Sequence, residues 1–516
     1  MSMHPQTPER TSASGPRQQR GGFGPPDFRT EHSGFGTNAL SRDRLGVGSL
    51  VFFTVSASAP MTVLAGGVVA TFAVSGVIGV PLAFPILAIV LALFAVGYGA
   101  MSRHVVNAGV FYAYISKGLG GAWGVAASFV ALISYNAIQI GLYGLFGAAT
   151  GGFIDAKTGL NWSWWAWGFI AMAVVAILGL LKVDLNARLL AVLLIAEVIA
   201  VVLFDVGALA HPAGGSVSFS GFNPSNLFKA GATGVVFAFS VAAFTGFESA
   251  GDYSEEAKNP RRTVAIALAA TVAITGVLYT VSAWALGVGY GADKVVSTAQ
   301  DPNGGMPFGL MASNYNSTIA DIANVLLLTS VFAALLSFHN TVGRYLFAAG
   351  RERVLPRIFA HTSATTKAPI VGSITQTILA VIFVTIFAAQ GKDPIAALFT
   401  WFSYISAVGI LLLMVGTSIA CIVYLNKRGD ESVWRATIAP GLATIALGVI
   451  MYIVTTNADA MLGTEKDSIL KYVFPGLIIA AAFVGVIWGA FLKSANAPVY
   501  EGIGNGGPAE EEFAVA

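Results

Sequence analysis

Twelve long apolar runs decide what this sequence can fold into. A helix needs about 20 apolar residues to cross roughly 30 Å of hydrocarbon, and in lipid only helices and closed barrels satisfy all of their backbone hydrogen bonds. The runs are too long and too uniformly apolar to be barrel strands. The sequence therefore predicts an all-α integral membrane protein with about 12 transmembrane helices. The predicted spans, numbered 1 to 12, cover residues 47–75, 80–101, 121–149, 164–182, 187–210, 231–253, 262–289, 319–350, 369–390, 396–426, 436–456 and 470–493.

The composition agrees with a membrane protein and excludes most soluble enzymes. Of the 516 residues, 55% are hydrophobic and 10% are Asp, Glu, Lys or Arg, whereas about a quarter of an ordinary globular protein is charged. The basic residues lie between the apolar runs and form no single stripe, so we expect no nucleic-acid partner. The single cysteine, Cys421, can form neither an intrachain disulfide nor a multi-cysteine metal site. The sequence has no phosphate-binding loop, zinc-protease motif or nucleophile elbow, so we expect neither an enzyme nor a bound cofactor.

The distribution of Lys and Arg predicts the orientation of the spans. If the N-terminus is cytoplasmic, 22 of the 28 Lys and Arg residues fall in cytoplasmic segments and 6 in external ones. Basic residues are enriched on the cytoplasmic side, so we predict a multi-pass protein of the cell membrane with both termini in the cytoplasm. Residues 1–42 lack the apolar stretch of a signal peptide and are predicted to be a disordered cytoplasmic tail. Residues 494–516 are predicted to be an acidic cytoplasmic tail.

Two spans are interrupted by residues that weaken helices. In span 1, Pro60 follows the small residues 56–59, and proline neither donates an amide hydrogen nor fits against the preceding turn. In span 6, Thr245 and Gly246 are followed by Glu248 inside a hydrophobic helix. Both interruptions therefore predict a local break in the helix.

The broken spans lie at corresponding positions of two halves. Residues 43–210 hold spans 1 to 5, residues 228–426 hold spans 6 to 10, and residues 436–493 hold the last two spans. Five is an odd number, so the second half enters the membrane from the opposite side. Interrupted helices that begin two inverted halves predict a binding site in mid-membrane.

Four segments resemble a known family. Residues 246–250 and 255–262 resemble the span-six signature and the following loop of the amino acid, polyamine and organocation transporter superfamily. Residues 340–356 are similar to its exit from span 8, and residues 107–112 to its loop after span 2. The resemblance covers roughly residues 44–490. It implies the five-plus-five inverted repeat of a LeuT-like fold, with two extra helices, and a permease of the amino acid type.

The resemblance also implies where an amino acid would bind. Free amides at the break in span 1 would hold the carboxylate at a positive helix end, and free carbonyls at the break in span 6 would accept hydrogen bonds from the ammonium group. Neighbouring side chains on spans 3, 6 and 10 would contact the side chain of the substrate. The predicted substrate-binding residues are Ser56, Ala57, Ser58, Ala59, Tyr135, Gln139, Phe239, Ala242, Ala243, Phe244, Thr245 and Tyr404.

This chain departs from the family at two of these positions. Many members have Gly-Ser-Gly at the first break, where this chain has Ser-Ala-Ser at residues 56–58. Many also have a bulky aromatic gate where this chain has Ala242. Either the lost bulk leaves room for a larger substrate side chain, or Phe239, one turn earlier, takes over the gate.

Glu197 in span 5 is the charge that bears most directly on energy coupling. Relatives often carry a lysine there that replaces a sodium ion and takes up a proton. An ionised carboxylate is costly in mid-membrane, so we expect Glu197 to be protonated part of the time and to couple transport to protons. Two alternatives stay open: Glu197 is a structural carboxyl, or sodium is the coupling ion, with Ser337 and Asn340 lining the ion site. His339 has no second ligand at metal-binding spacing, so no metal site is expected.

The charged loop after span 6 predicts a gate or scaffold. We expect Glu248 to hold the broken helix to its neighbours and Asp252, near the cytoplasmic end, to be solvated. The four charged residues 255, 256, 261 and 262 are expected to pair with opposite charges on the cytoplasmic face and not to contact substrate. The predicted gating and structural residues are Pro60, Gly246, Glu248, Glu256 and Arg262.

The sequence therefore predicts a secondary active transporter that moves an amino acid or related amine across the cytoplasmic membrane by alternating access. Coupling is predicted to be by protons or exchange. The alternatives are a sodium-coupled carrier, or a passive channel or substrate sensor on the same fold. The expected partners are a small-molecule substrate and the lipid bilayer. The sequence leaves the substrate, the choice between symport and exchange, and the oligomeric state open.

Overall fold

The computed structural model describes residue 40 and residues 44–181, 183–301, 305–463 and 468–506. Most of the predicted N-terminal tail and the end of the C-terminal tail lie outside the described residues. Inside them, all regular secondary structure is helical, apart from two isolated bridges that join Leu45 to Ala257 and Thr362 to Pro369. The predicted all-α fold class is confirmed.

Each predicted span corresponds to a helix or to a broken pair of helices. Of the helices in the described ranges, 11 are long and apolar enough to cross a membrane, and the apolar helix at span 4 has 16 residues. In chain order the spans are Val47–Ser75, Val80–Met101, Gly121–Thr158, Trp164–Gly179, Val183–Ala210, Ala232–Gly251, Pro260–Tyr290, Ser317–Arg351, Ile370–Ala389, Pro394–Arg428, Trp434–Thr456 and Leu470–Ala495.

Shorter helices, which the hydropathy pattern does not predict, connect the spans. The α-helical segments are Val110–Leu119, Pro224–Leu227, Val295–Gln300, Phe308–Asn314, Ala458–Leu462 and Ala497–Gly502. Turns of 3₁₀ helix cover Ser220–Phe222, Phe247–Gly251, Ser254–Glu256 and Arg357–Ala360. Turns of π-helix lie within spans 1, 10 and 11, at Val63–Val68, Pro394–Phe399 and Trp434–Ile438.

Span 3 is longer than its hydropathy predicts. Two glycines at 151 and 152 weaken the helix after the predicted end at residue 149, yet the helix continues to Thr158 and ends at Gly159, which has a left-handed φ of 72°. The start of span 4 packs directly on this extension. A Cβ on Gly151 would lie 3.4 Å from Trp167 Cδ1. This contact with span 4 supports a segment of low helix propensity.

The spans differ in how deeply they are buried. The most apolar part of span 6 is 94% buried, and spans 1 and 3 resemble it in being mostly buried. The most apolar part of span 12 is only 22% buried, and spans 9 and 11 resemble span 12. Spans 1, 3 and 6 therefore form the centre, and spans 9, 11 and 12 form a lipid-facing periphery. We call the side at which Val47 begins span 1 and Ala495 ends span 12 the terminal face.

Candidate functional site

Span 1 is broken where the sequence predicts. Its first helix, Val47–Ser58, ends at Ala59, whose φ of 45° and ψ of 78° are left-handed. Pro60 then begins a new helix, because proline cannot donate an amide hydrogen inside a continuous one and disfavours helical geometry in the residue before it. The Ser58 carbonyl at the break accepts a hydrogen bond from Tyr279 Oη at 2.7 Å. The break thus exposes backbone amides and carbonyls that would be hydrogen-bonded within a regular helix.

Span 6 is broken beside it. The helix Ala232–Phe244 ends at Thr245, Gly246 has a left-handed φ of 108°, and a 3₁₀ turn follows. A Cβ on Gly246 would lie 2.6 Å from Ala57 Cβ, so the position requires glycine both for its φ and for its space. The two breaks therefore touch each other, and both predicted interruptions are confirmed.

A cavity of about 40 Å³ lies between the two breaks. Ligand pockets usually measure about 300–1,000 Å³, and this cavity has room for about three water molecules at roughly 10–15 Å³ each. The helices must therefore move apart before a molecule as large as an amino acid could enter. Its lining is mostly apolar and consists of Ala57, Ser58, Ala59, Thr62, Val63, Gly67, Ile138, Leu142, Phe239, Ala242, Ala243, Ala334, Phe338, Phe399 and Ser403.

The cavity brings together half of the predicted substrate-binding residues. Those that line it are Ala57, Ser58, Ala59, Phe239, Ala242 and Ala243. Those that lie outside it in this conformation are Ser56, Tyr135, Gln139, Phe244, Thr245 and Tyr404. On span 10, Ser403 lines the cavity next to the predicted Tyr404, and on span 8, Phe338 lines it next to Ser337, which was predicted for the ion site. Ser337 and Tyr404 were predicted because they are polar. The periodicity of spans 8 and 10 does not show which face of each helix lines the cavity.

Tyr135 and Gln139 instead connect span 3 to other spans. Tyr135 Oη donates a hydrogen bond to Glu248 Oε1 at 2.7 Å, which ties span 3 to the segment after the span-6 break. Gln139 Nε2 lies 3.3 Å from the Leu335 carbonyl oxygen and 3.4 Å from His339 Nδ1. His339 is thus part of a polar network between spans. No group of three or more potential metal ligands occurs among the described residues.

Two acidic residues follow the span-6 break, and both are buried. Glu248 Oε2 accepts a hydrogen bond from the Gly246 amide at 3.0 Å, so this carboxylate closes the broken segment on itself. Asp252 is only 1% exposed, and the expectation that it is solvated is wrong. The chain after the break folds into the bundle as a 3₁₀ turn, and a Cβ on Gly251 would lie 2.3 Å from Tyr98 Oη. This packing carries Asp252 away from water.

Glu197 lies against the second half of span 1. Its side chain is 1% exposed, and neither carboxylate oxygen has a hydrogen-bond partner of good geometry within the described residues. The Ser330 hydroxyl and the Met61 backbone amide face it. Ser330 Oγ also accepts hydrogen bonds from the Thr62 amide at 3.2 Å and the Thr62 hydroxyl at 3.1 Å. Spans 1, 5 and 8 therefore meet at Glu197, next to the break.

The sodium alternative named Ser337 and Asn340, which lie elsewhere on span 8. Ser330 is the span-8 residue that faces Glu197, and Ser337 follows it by seven residues, or about 10 Å along the helix. Ser337 Oγ and Asn340 Nδ2 are buried without a hydrogen-bond partner in the part of the chain that the structure describes. Glu197 and the Ser337–Asn340 pair therefore do not form a single group of ligands in this conformation.

Asp205 is a buried carboxylate that the sequence reasoning missed. It follows Glu197 by eight residues on span 5, about 12 Å along the helix, and is 5% exposed. Its Oδ2 accepts a hydrogen bond from Ser282 Oγ at 3.0 Å. A charged residue inside an apolar run is a signal that could have found it.

A cluster of residues that we call the terminal gate lies on the terminal face. It consists of the start of span 1 at residues 44–45, the loop residues 253–258 and Arg344. Arg344 Nη2 lies 2.6 Å from Glu256 Oε2, with both side chains at most 4% exposed. The amides of Arg44 and Leu45 donate to the Glu256 carbonyl at 2.9 and 3.0 Å. The gate thus pins the start of span 1 to the loop after span 6 and to span 8.

The four charged loop residues divide into a paired half and an exposed half. Glu256 pairs with Arg344, and Glu255 lies 2.6 Å from Arg351 Nη2. Arg261 and Arg262 are exposed and form no ion pair with any described residue, so the prediction that they pair is wrong. They occupy the first turn of span 7, which directs them outward from the gate.

The chain after span 12 folds onto the terminal face. The Glu352 carboxylate accepts hydrogen bonds from the amides of Gly504 at 2.5 Å and Gly506 at 2.9 Å. It also accepts from Asn107 Nδ2 at 2.7 Å and from the Tyr112 hydroxyl. Burial raises the pKa of Glu352 above its ordinary value, although these hydrogen bonds act in the opposite direction. One carboxylate therefore joins span 8, the loop after span 2 and the C-terminal segment.

Comparison with known proteins agrees with this geometry. A family model described as amino acid permease matches residues 45–484. The chain belongs to the amino acid permease family. Membership in this family, within the superfamily whose motifs the sequence resembles, fits the twelve-helix, LeuT-like fold with its two broken spans. It indicates a multi-pass membrane transporter and not an enzyme.

Three curated relatives differ in their named substrates. The branched-chain amino acid permease BcaP of Lactococcus lactis is 26% identical over 418 residues, which cover 76% of this chain and 82% of that protein. The putrescine transporter PotE of Haemophilus influenzae is 29% identical over 166 residues, 32% of this chain and 37% of that protein. The dicarboxylic amino acid permease of Saccharomyces cerevisiae is 29% identical over 216 residues, 40% of this chain and 34% of that protein. The chain thus spans little more than a third of the last two proteins.

Proposed function

We propose that this protein takes up a neutral amino acid with an aliphatic side chain across the cytoplasmic membrane, by alternating access and in symport with protons. The observation that carries the proposal is the contact between the two helix breaks around a small apolar cavity. Backbone amides at the second half of span 1 lie at a positive helix end and suit a carboxylate. Carbonyls of Ala242 and Ala243, at the end of the first half of span 6, suit an ammonium group.

The cavity lining supports an apolar substrate side chain. Phe239, Phe338 and Leu142 contribute bulk, and the lining has no charged side chain among the described residues. Burying a charged substrate group there without a partner would be costly. The relative with the widest alignment is named as a branched-chain amino acid permease, which agrees with this substrate class.

A polyamine is the less favoured substrate. A second ammonium group would need a carboxylate in the cavity lining, and no acidic side chain lines the cavity among the described residues. The relative named as a putrescine transporter aligns with only 32% of this chain. The substrate class is tested by measuring radiolabelled leucine uptake into proteoliposomes with valine, aspartate or putrescine as the competitor. Inhibition by putrescine but not by valine would overturn it.

Proton coupling is proposed to act through Glu197. Because Glu197 is buried beside the span-1 break, its protonation changes the charge next to the helices that alternating access has to rearrange. Glu197→Gln keeps the shape and the hydrogen-bonding capacity of the neutral form but cannot titrate. We expect this variant to bind and exchange leucine but not to accumulate it under an imposed pH gradient.

The coupling experiment imposes pH and sodium gradients separately on proteoliposomes. The matched control is Asp205→Asn, which neutralises another buried carboxyl of span 5 and is expected to leave accumulation in place. Unaltered accumulation by Glu197→Gln would overturn the role of this residue. Accumulation by the wild type with a sodium gradient alone would favour the sodium-coupled carrier, and flux without accumulation would favour a passive channel.

The proposed orientation places both termini in the cytoplasm. The excess of Lys and Arg on the terminal face supports it. In intact cells, an accessible tag at the C-terminus should then react with an antibody only after the membrane is permeabilised. Reaction in intact cells would reverse the orientation and the proposed direction of transport.

A further inference from the structure

A groove of about 740 Å³ runs along the outer side of spans 2 and 7, away from the substrate cavity. On span 2 its lining extends from Pro85 to Arg103, which is about 27 Å at 1.5 Å per residue. One leaflet of the hydrocarbon core is only about 15 Å thick. Ile89 and Val277, on its two walls, are 65% and 66% exposed, so the groove opens to the lipid. It is therefore long enough for a whole acyl chain.

Close packing of the two helices creates the groove. A Cβ on Gly99 would lie 3.1 Å from Ala265 Cβ, and one on Gly276 would lie 2.7 Å from Ala88 Cβ. Spans 2 and 7 thus meet at two points through residues without large side chains. Above this contact, small exposed residues such as Ala92 leave a depression that neither helix fills. Unfilled apolar volume of this kind favours a flexible apolar occupant.

Two arginines line the end of the groove at the terminal face. Arg103 Nη1 lies 3.0 Å from Glu431 Oε1, and Arg435 Nη1 lies 3.3 Å from Glu431 Oε2. Two guanidinium groups therefore share one carboxylate, which leaves one net positive charge. The arginine side chains are 38% and 47% exposed, whereas Glu431 is 6% exposed. Each guanidinium has five donors and uses one on Glu431, so donors remain for an anion.

We propose that an anionic phospholipid occupies this groove, with one acyl chain along spans 2 and 7 and its phosphate between Arg103 and Arg435. Guanidinium groups bind phosphate oxygens in pairs, and basic pockets between spans on the cytoplasmic side suit anionic headgroups. A transmembrane helix is about 10–12 Å wide and would have to bury both partly exposed guanidinium groups. The charge at the end of the groove therefore favours a lipid over a second protein copy.

The test is native mass spectrometry of the purified protein with dioleoyl phosphatidylglycerol or dioleoyl phosphatidylcholine. We expect the wild type to retain phosphatidylglycerol about tenfold more tightly, in keeping with two charge-assisted contacts. Arg103→Gln with Arg435→Gln should remove this preference, because glutamine keeps a donor but loses the charge. The matched control, Arg261→Gln, removes an exposed arginine outside the groove and should leave the preference intact.

A second variant tests the groove independently of charge. Ala92→Phe fills the apolar wall and should reduce retention of both lipids, with thermal unfolding used to verify that the protein is folded. The proposal is overturned if the double arginine variant keeps the wild-type preference, or if both lipids bind the wild type equally. A dimer that Ala92→Phe dissociates, without any lipid preference, would assign the groove to a second copy. These readouts measure binding and do not depend on the transported substrate.

Discussion

Glu256→Gln is predicted to open the terminal gate. The wild-type carboxylate lies 2.6 Å from Arg344 Nη2 and 2.8 Å from Arg344 Nε. Arg344 also stacks on the Tyr253 ring, with its guanidinium carbon 4.2 Å from the ring centroid. The substitution removes the charge that pairs directly with the buried guanidinium and leaves Asp252 and the Asn340 carbonyl as polar neighbours of Arg344. The substitution therefore destabilises the closed state, in which Arg344 is 3% exposed.

The expected size of the effect follows from the burial of the pair. Removing one partner of a buried ion pair costs about 3–5 kcal/mol, because the remaining charge is uncompensated. If the pair forms only in the closed state, the lower figure raises the population of the open state by roughly a hundredfold. Glutamine can still accept one hydrogen bond from the arginine. We therefore expect an increase of at least about tenfold.

The assay uses the reactivity of one introduced cysteine. Cys421 is the only native cysteine and is buried, so Cys421→Ser provides a background without thiols. Ala57→Cys places a reporter in the cavity wall at the span-1 break. A membrane-impermeant maleimide, applied from the terminal face, should label this reporter about tenfold faster when Glu256→Gln is present.

The control breaks an exposed ion pair on the opposite face. Lys157 Nζ lies 2.5 Å from Asp321 Oδ2, with both side chains more than 40% exposed. Such pairs contribute about 0–1 kcal/mol, so Asp321→Asn should leave the labelling rate unchanged. Equal rates for the wild type and Glu256→Gln, with both proteins folded, would refute the role of the pair in closure.

Three further substitutions test the site and its surroundings. Ser58→Trp should lower leucine affinity at least about tenfold in a binding assay, because the cavity is only about 40 Å³. The control, Ser494→Trp at an exposed position, should leave the affinity unchanged. Gly246→Ala should destabilise the protein by about 2 kcal/mol more in thermal unfolding than Ala at Gly391, which also has a left-handed φ but no neighbour within 4 Å. Glu352→Ala should free the C-terminal segment and speed its removal by a protease, with unchanged cleavage rates as the contradicting result.

The fold could be predicted because its signals are local in the sequence. Runs of apolar residues define the spans, and Pro60 and Gly246 define the two breaks through their own backbone chemistry. The end of span 3 could not be predicted in the same way. Beyond residue 149 its helix packs against Trp167 of span 4, a tertiary contact that the helix propensity of Gly151 does not reveal.

The site was predicted in part, for a related reason. The residues at the breaks line the cavity, and their positions follow directly from the sequence once the breaks are located. Which residues of spans 8 and 10 face the cavity depends on helical rotation, and periodicity does not reveal it when both Phe338 and Ser337 are buried. The burial of Asp252 also depends on how the chain folds back after the break, which its distance from the end of span 6 does not reveal.

The two faces of the closed bundle are held by interactions of different strength. The terminal face has a buried ion pair at Arg344, a partly buried one at Arg351 and a backbone bridge at Leu45. On the opposite face, the exposed Lys157 and Asp321 form an ion pair. Breaking a buried pair costs several kcal/mol and breaking an exposed one costs about 0–1 kcal/mol. We therefore expect the contact between Lys157 and Asp321 to break at a lower cost in free energy than the contact between Glu256 and Arg344.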